Sequence, residues 1–142
     1  EQDGIVYIPH PYDEKRHKSV LSEEMIRQNV ELIDIVEIHN GRNEKTLFSE
    51  KQLRIANKYD VIKAVGSDAH IFFELGRNYN VLKKEFDNKE QFLDYLKSSQ
   101  EIKKDCIGLA HQVTKLVKGI KLLLRGEFDE LYRAIINRNK KS

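Results

Sequence analysis

Asp34-Ile35-Val36-Glu37-Ile38 is the stretch that decides the fold. It is a short, nearly continuous apolar run rich in β-branched residues. Such a run suits a strand covered on both faces, as in a parallel sheet. Upstream, Ile5-Val6-Tyr7-Ile8 is built the same way, and so is Val61-Ile62-Lys63-Ala64-Val65 downstream. Helix-like stretches lie between the runs. Residues 19–31 carry Leu21, Met25 and Leu32, with Ile26 and Val30 on a neighbouring stripe. Residues 50–59 are opened by Ser49 with Gln52 three positions on, a capping-box pattern. Strand, helix, strand, helix, strand at a spacing of roughly 28 residues predicts βαβ units. Right-handed crossovers then bring all three strand C-termini to one edge of the sheet.

The second half reads as mostly helical. Asn88 with Gln91 opens a short helix holding Phe92, Leu93 and Leu96. Residues 101–125 set Ile102, Cys106, Leu109, Val113, Leu116, Ile120 and Leu123 in alternating steps of four and three, one long apolar stripe. Gly108 and Gly119 interrupt it at about 1 kcal/mol each against Ala, so a break is expected near Gly119. Residues 127–137 form a further helical stretch with Phe128, Leu131, Tyr132, Ile135 and Ile136 on one face.

With 142 residues, 39% hydrophobic and 34% charged, the chain is long and apolar enough for a core. No apolar run approaches the roughly 18 residues of a membrane span. The single Cys106 has no internal disulfide partner, which fits a reducing compartment, and a cytoplasmic location is expected. The chain opens at Glu1 without a signal-peptide pattern and reads as a piece of a longer protein. Charge is uneven. Residues 1–76 carry 10 Lys/Arg and 14 Asp/Glu, whereas residues 77–142 carry 15 and 9. That asymmetry suggests two functional regions, 1–76 and 77–142.

Each of the three strands ends in polar groups: Pro9-His10-Pro11-Tyr12-Asp13, then Glu37 to Arg42, then Gly66-Ser67-Asp68-Ala69-His70. The C-terminal strand edge is where parallel α/β folds build sites. His10, Asp68 and His70 are therefore expected to converge. Asp68 and His70, two apart in extended backbone, point to one side. Imidazole and carboxylate together suit Zn, Mn or Fe. The plainer reading makes Asp68 a turn residue and His70 a capping or surface histidine.

These segments resemble the PHP (polymerase and histidinol phosphatase) family of metal-dependent phosphoesterases. Gly4 to Asp13, with Arg16 soon after, resembles the family's His-Pro strand end. Asp34-Ile-Val-Glu37-Ile-His-Asn40-Gly41-Arg42 resembles its Asp-x-Val-Glu-x-x-Asn-x-Arg strand. Gly66-Ser-Asp68-Ala-His70, followed by Glu74-Leu75-Gly76, resembles its last signature and is the most specific of the three. Together they cover residues 4–76. The tail from about residue 77 resembles the helical extension that some members carry.

The resemblance implies an α/β fold, here the three C-terminal βα units of a distorted (β/α)7 barrel followed by a helical extension. It implies two or three divalent metal ions, Zn, Mn or Fe, in the complete family site. His10, Asp68 and His70 match metal ligands. Glu37 and Asn40 match positions near the pocket, and Arg16 and Arg42 are candidate anchors for a phosphate, whose oxygens a guanidinium meets in bidentate fashion. A metal-activated water would then attack phosphorus in line. The family's His-x-His opening and its early acidic ligand precede the His-Pro strand, and only nine residues precede His10. His17, His39 and His111 do not replace them by spacing. The chain is thus expected to be the C-terminal portion of a phosphoesterase, inactive alone, acting with its missing part on a phosphorylated small molecule or nucleotide. The alternative is a non-catalytic binding or scaffold module that keeps a remnant half-site. Lys104, His111, Lys115, Lys118 and Arg125 form a basic stripe suited to nucleic acid, an anionic surface or an acidic partner. An ordinary solvated face is the plainer reading, no aromatics interleave, and no membrane partner is expected. Unpaired strand edges predict a homo-oligomer.

Overall fold

The computed structural model describes residues 3–12, 21–43, 46–104, 110–130 and 132–133. The chain divides into two compact units, Glu1–Cys106 and Ile107–Ser142. The first holds β1 (Tyr7–Ile8), α1 (Glu23–Gln28), β2 (Ile35–Asn40), α2 (Thr46–Lys58), β3 (Ile62–Gly66), β4 (Tyr79–Val81), α3 (Lys89–Lys97) and β5 (Gln100–Ile102). Single 3₁₀ turns lie at Val30–Leu32 and Phe72–Glu74.

β1, β2 and β3 form a parallel sheet in that order, with Tyr7 opposite Ile35 and Ile35 opposite Ile62. All three strands thus end on one edge, as their sequence pattern predicts. β2 is central and buried along nearly its whole length. Val36 and Ile38 pack with Ala56, Val61 and Val65 on one face, while Ile35 and Ala64 pack with Leu96 on the other. Both faces are covered, which is why the run shows no polar alternation. Each fully buried aliphatic side chain contributes about 1.5–3 kcal/mol. The described sheet has three strands and does not close into a barrel.

Local rules explain the helix starts. Ser22 caps α1 by accepting from the Met25 N–H at 3.2 Å. Ile26 is buried whereas Met25 and Leu32 are exposed, so the stripe of Ile26 and Val30 faces the core rather than that of Leu21, Met25 and Leu32. α1 is also shorter than the expected 19–31, because a 3₁₀ turn replaces it after Asn29. Asn88 caps α3 by accepting from Gln91 N–H at 2.9 Å, and the Gln91 side chain returns the bond by accepting from Asp87 N–H at 2.9 Å. Ser49 and Gln52 form no such box. α2 already runs from Thr46, so both lie inside it and point at β2. Ser49 Oγ is 3.4 Å from His39 Nδ1. The buried Gln52 amide, with its nitrogen turned to the strand, donates to the Glu37 and Ile38 carbonyls at 3.2 Å each.

The region after residue 76 is less helical than its sequence predicts. β4 and β5 pair antiparallel, Tyr79 opposite Ile102. Ile102 therefore belongs to a strand, and Lys104 follows that strand instead of joining a helical stripe.

The second unit is built on α4 (Ala110–Leu124). Gly119 does not break it. The stop is Gly126, whose φ of 70° is the left-handed conformation glycine adopts freely. Gly126 N–H donates to Leu123 O at 3.1 Å and Glu127 N–H to Leu122 O at 3.0 Å, a Schellman closure. Val113, Leu116, Ile120 and Leu123 are exposed on α4, and Leu122 is buried. Further helical residues are 128–130 and 132–133. Cys106, Arg16 and His17 lie outside the described residues, as does the side chain of His111.

Candidate functional site

The site begins with the edge where the three strands end. His10 follows β1, and Asp68 and His70 follow β3. β2 lies between, so the two outer strand ends are roughly 10 Å apart at two strand spacings. His10 and Asp68 both take positive φ, 29° and 48°, as do Asp3 and Asp60 elsewhere. A non-glycine residue there costs about 1–3 kcal/mol and persists only where its surroundings hold it. Two of the three expected donors thus sit in strained backbone.

Two buried carboxylates hold the main chain of His10 and His70. Glu37 accepts from the His10 N–H at 2.6 Å, from the Tyr7 hydroxyl at 3.1 Å and from Asn40 Nδ2 at 3.1 Å. Burial, and after it the Glu37 carboxylate, pushes the Tyr7 phenol well above its ordinary pKa, so the hydroxyl remains a donor. Gly66 makes room for this arrangement, since a Cβ there would collide with Glu37 Oε1. Glu74 accepts from Arg42 Nε and Nη2, each at 2.7 Å, from the His70 N–H at 2.8 Å and from the Ile71 N–H at 3.1 Å. Burial raises the Glu74 carboxyl, but the guanidinium and the two N–H groups outweigh it and hold its pKa below the usual range.

His70 Nδ1 lies 2.8 Å from the Asp68 carbonyl. A carbonyl only accepts, so Nδ1 carries a proton, and in the neutral ring the lone pair then lies on Nε2. The Asp68 carboxylate is 3.8 Å from the same nitrogen. His10 Nδ1 is buried without a hydrogen-bond partner among the described residues. An orphaned imidazole nitrogen and a tautomer fixed by a carbonyl are both what a metal ligand uses. The donors fit a divalent metal in kind. They do not fit in number: among the described residues no three His, Cys, Asp or Glu side chains are grouped to hold an ion.

Glu37, Asn40 and Arg42 do come to this edge, as read from their motif, yet all three are buried in the scaffold. Asn40 spends its amide on Glu37 and its Oδ1 on the Arg42 N–H at 3.0 Å. The Arg42 guanidinium is engaged by Glu74. The roles of Glu74 and Tyr7 were not assigned from sequence, although Glu74 stands in the Glu-x-Gly that trails Asp68 and His70.

Residues 48–100 match the family model described as PHP-associated. The match runs from α2 through β3, the Asp68–His70 turn, Glu74, β4 and α3 to the first residue of β5. The match over these residues is consistent with the C-terminal portion of a PHP-domain protein. The chain is also 33% identical over 105 residues to an uncharacterized protein of Methanocaldococcus jannaschii, covering 68% of this chain and 44% of that protein. It therefore spans less than half the length of the curated relative it matches. No solved structure matches the chain. No helix among the described residues is long and apolar enough to cross a membrane.

Proposed function

We propose that the chain is the C-terminal portion of a metal-dependent phosphoesterase. In this reading His10, Asp68 and His70 are its share of a metal site that residues outside the chain complete. A divalent ion, its coordination completed by ligands outside the chain, would be held by His10, Asp68 and His70 and would supply an acidified water and charge neutralisation at phosphate. The substrate is a phosphorylated small molecule or nucleotide. The observation that carries the reading is the buried Nδ1 of His10, unpartnered among the described residues, on strained backbone at the matching end of a strand parallel to the one that presents Asp68 and His70.

The test is metal content by mass spectrometry on the purified chain, beside a His10→Ala, Asp68→Ala, His70→Ala triple variant. Stoichiometric Zn, Mn or Fe that disappears in the variant supports the reading. Equal metal in both removes these residues from the site. The isolated chain is expected to hydrolyse a simple phosphomonoester no faster than its triple variant. Efficient metal-dependent turnover by the chain alone would refute its incompleteness. The second reading, a non-catalytic binding or scaffold module, is favoured by the ungrouped donors. Absence of metal above background in both proteins would mean that the ligands outside the chain are essential to the site or that the site is a relic.

A further inference from the structure

We propose that Glu37, Asn40, Arg42 and Glu74 are one relay of positioning residues that fixes His10 and His70 relative to each other. The path is continuous. His10 N–H donates to Glu37, Asn40 Nδ2 donates to the same Glu37 oxygen, and Asn40 Oδ1 accepts from Arg42 N–H. The Arg42 side chain then clamps Glu74, which accepts from His70 N–H. The four residues are 3%, 3%, 8% and 4% exposed. Each carboxylate thus holds the main chain of one histidine, and Arg42 with Asn40 joins the two carboxylates.

Stability alone is a weak reason for such a relay. Burying a guanidinium and carboxylates costs desolvation that their attraction roughly offsets, and apolar replacements of such pairs are often neutral. What an apolar pair cannot do is accept the His70 and Ile71 N–H groups and shape the turn that turns His70 Nδ1 onto the Asp68 carbonyl. The relay also gives Arg42 a task other than holding phosphate. It rests on the reading above only in counting His10 and His70 as the donors of the site.

The experiment is ¹⁵N NMR of the histidine rings in the metal-free chain at pH 8.5. The wild type is expected to show His70 as the single Nδ1–H tautomer. Glu74→Gln keeps the side-chain shape and removes the charge. It is expected to convert His70 to a mixture of tautomers and to shift the His10 ring signals through the relay. An Arg42→Met, Glu74→Leu double variant is expected to lose the same His70 pattern in its folded fraction, with a thermal midpoint lowered by the two N–H groups left without an acceptor. A merely structural role would also lower the midpoint but leave the ring pattern of the folded fraction intact. The proposal is overturned by an Nε2–H tautomer in the wild type, a measurement that needs no variant to fold. Unchanged ring signals in Glu74→Gln, or a change confined to His70, also overturn it. All readouts are made without metal and without turnover, so their failure leaves the phosphoesterase reading standing. Failure of the metal-content test likewise leaves the relay standing.

Discussion

The Arg42 guanidinium and the Glu74 carboxylate meet in a bidentate pair at 2.7 Å, 32 residues apart in sequence, both buried. The pair ties the turn after β2 to the 3₁₀ turn after β3, and so ties together the loops that carry the candidate chemistry. Around it the strand ends have little slack, and several substitutions should show this.

Gly66→Ala places a methyl group where Glu37 Oε1 sits. Overpacking of this kind costs about 1–3 kcal/mol. We expect a lower urea midpoint with an unchanged slope. In a Glu37→Ala background the same substitution should cost less, and a double-mutant cycle measures the difference. Equal costs in both backgrounds would place the clash elsewhere.

Tyr7→Phe removes one donor from the Glu37 carboxylate and leaves the His10 N–H and Asn40 Nδ2 in place. The expected loss is about 1–3 kcal/mol, the usual range when a buried acceptor loses a partner. Urea unfolding at neutral pH checks it. A change below about 0.5 kcal/mol, the ordinary scale of surface substitutions, would mean the hydroxyl is dispensable.

His39 should make stability depend on pH. Burial, then the Lys103 ammonium, holds its imidazole below the ordinary value of 6.5. Between the folded pKa and 6.5 the unfolded chain binds more protons than the native one. Stability therefore rises with pH across that window and falls on acidification from about pH 7. The urea midpoint should drop between pH 7.5 and 5.5, and a His39→Asn variant should show a shallower dependence. Parallel profiles would assign the pH effect to other groups.

β1 should make the chain self-associate. Among the described residues it pairs only with β2, and Ile5 and Val6 beside its open edge are exposed. An open apolar strand edge is a template for pairing with another chain. Light scattering should give a mass above that of the monomer, lowered by Val6→Lys. A clean monomer across the micromolar range would refute this.

The three strands were legible because Ile5–Ile8, Asp34–Ile38 and Val61–Val65 are apolar without alternation, the mark of a sheet with two covered faces. β4 and β5 were not. Tyr79-Asn80-Val81 and Gln100-Glu101-Ile102 are three residues each and have no apolar run to betray them. The apolar stripe of α4 was legible as a period, but its burial was not, since a period does not say what covers it. At the site, motif order brought His10, Asp68 and His70 to one edge. The roles of Asn40 and Arg42 could not be read from that order. An exposed anchor and a buried scaffold residue look alike in sequence until Glu74 is known to face Arg42.

The far side of β3 is closed by a side chain. Val65 N–H donates to Asn80 Oδ1 at 2.9 Å, and Asn80 Nδ2 in turn donates to Ser99 Oγ at 2.9 Å. A side-chain amide, braced by the segment that leads into β5, takes a main-chain position that a further parallel strand would need. Asn80 thus occupies a main-chain donor on the flank of β3 away from β2, whereas β1, among the described residues, pairs on one flank alone.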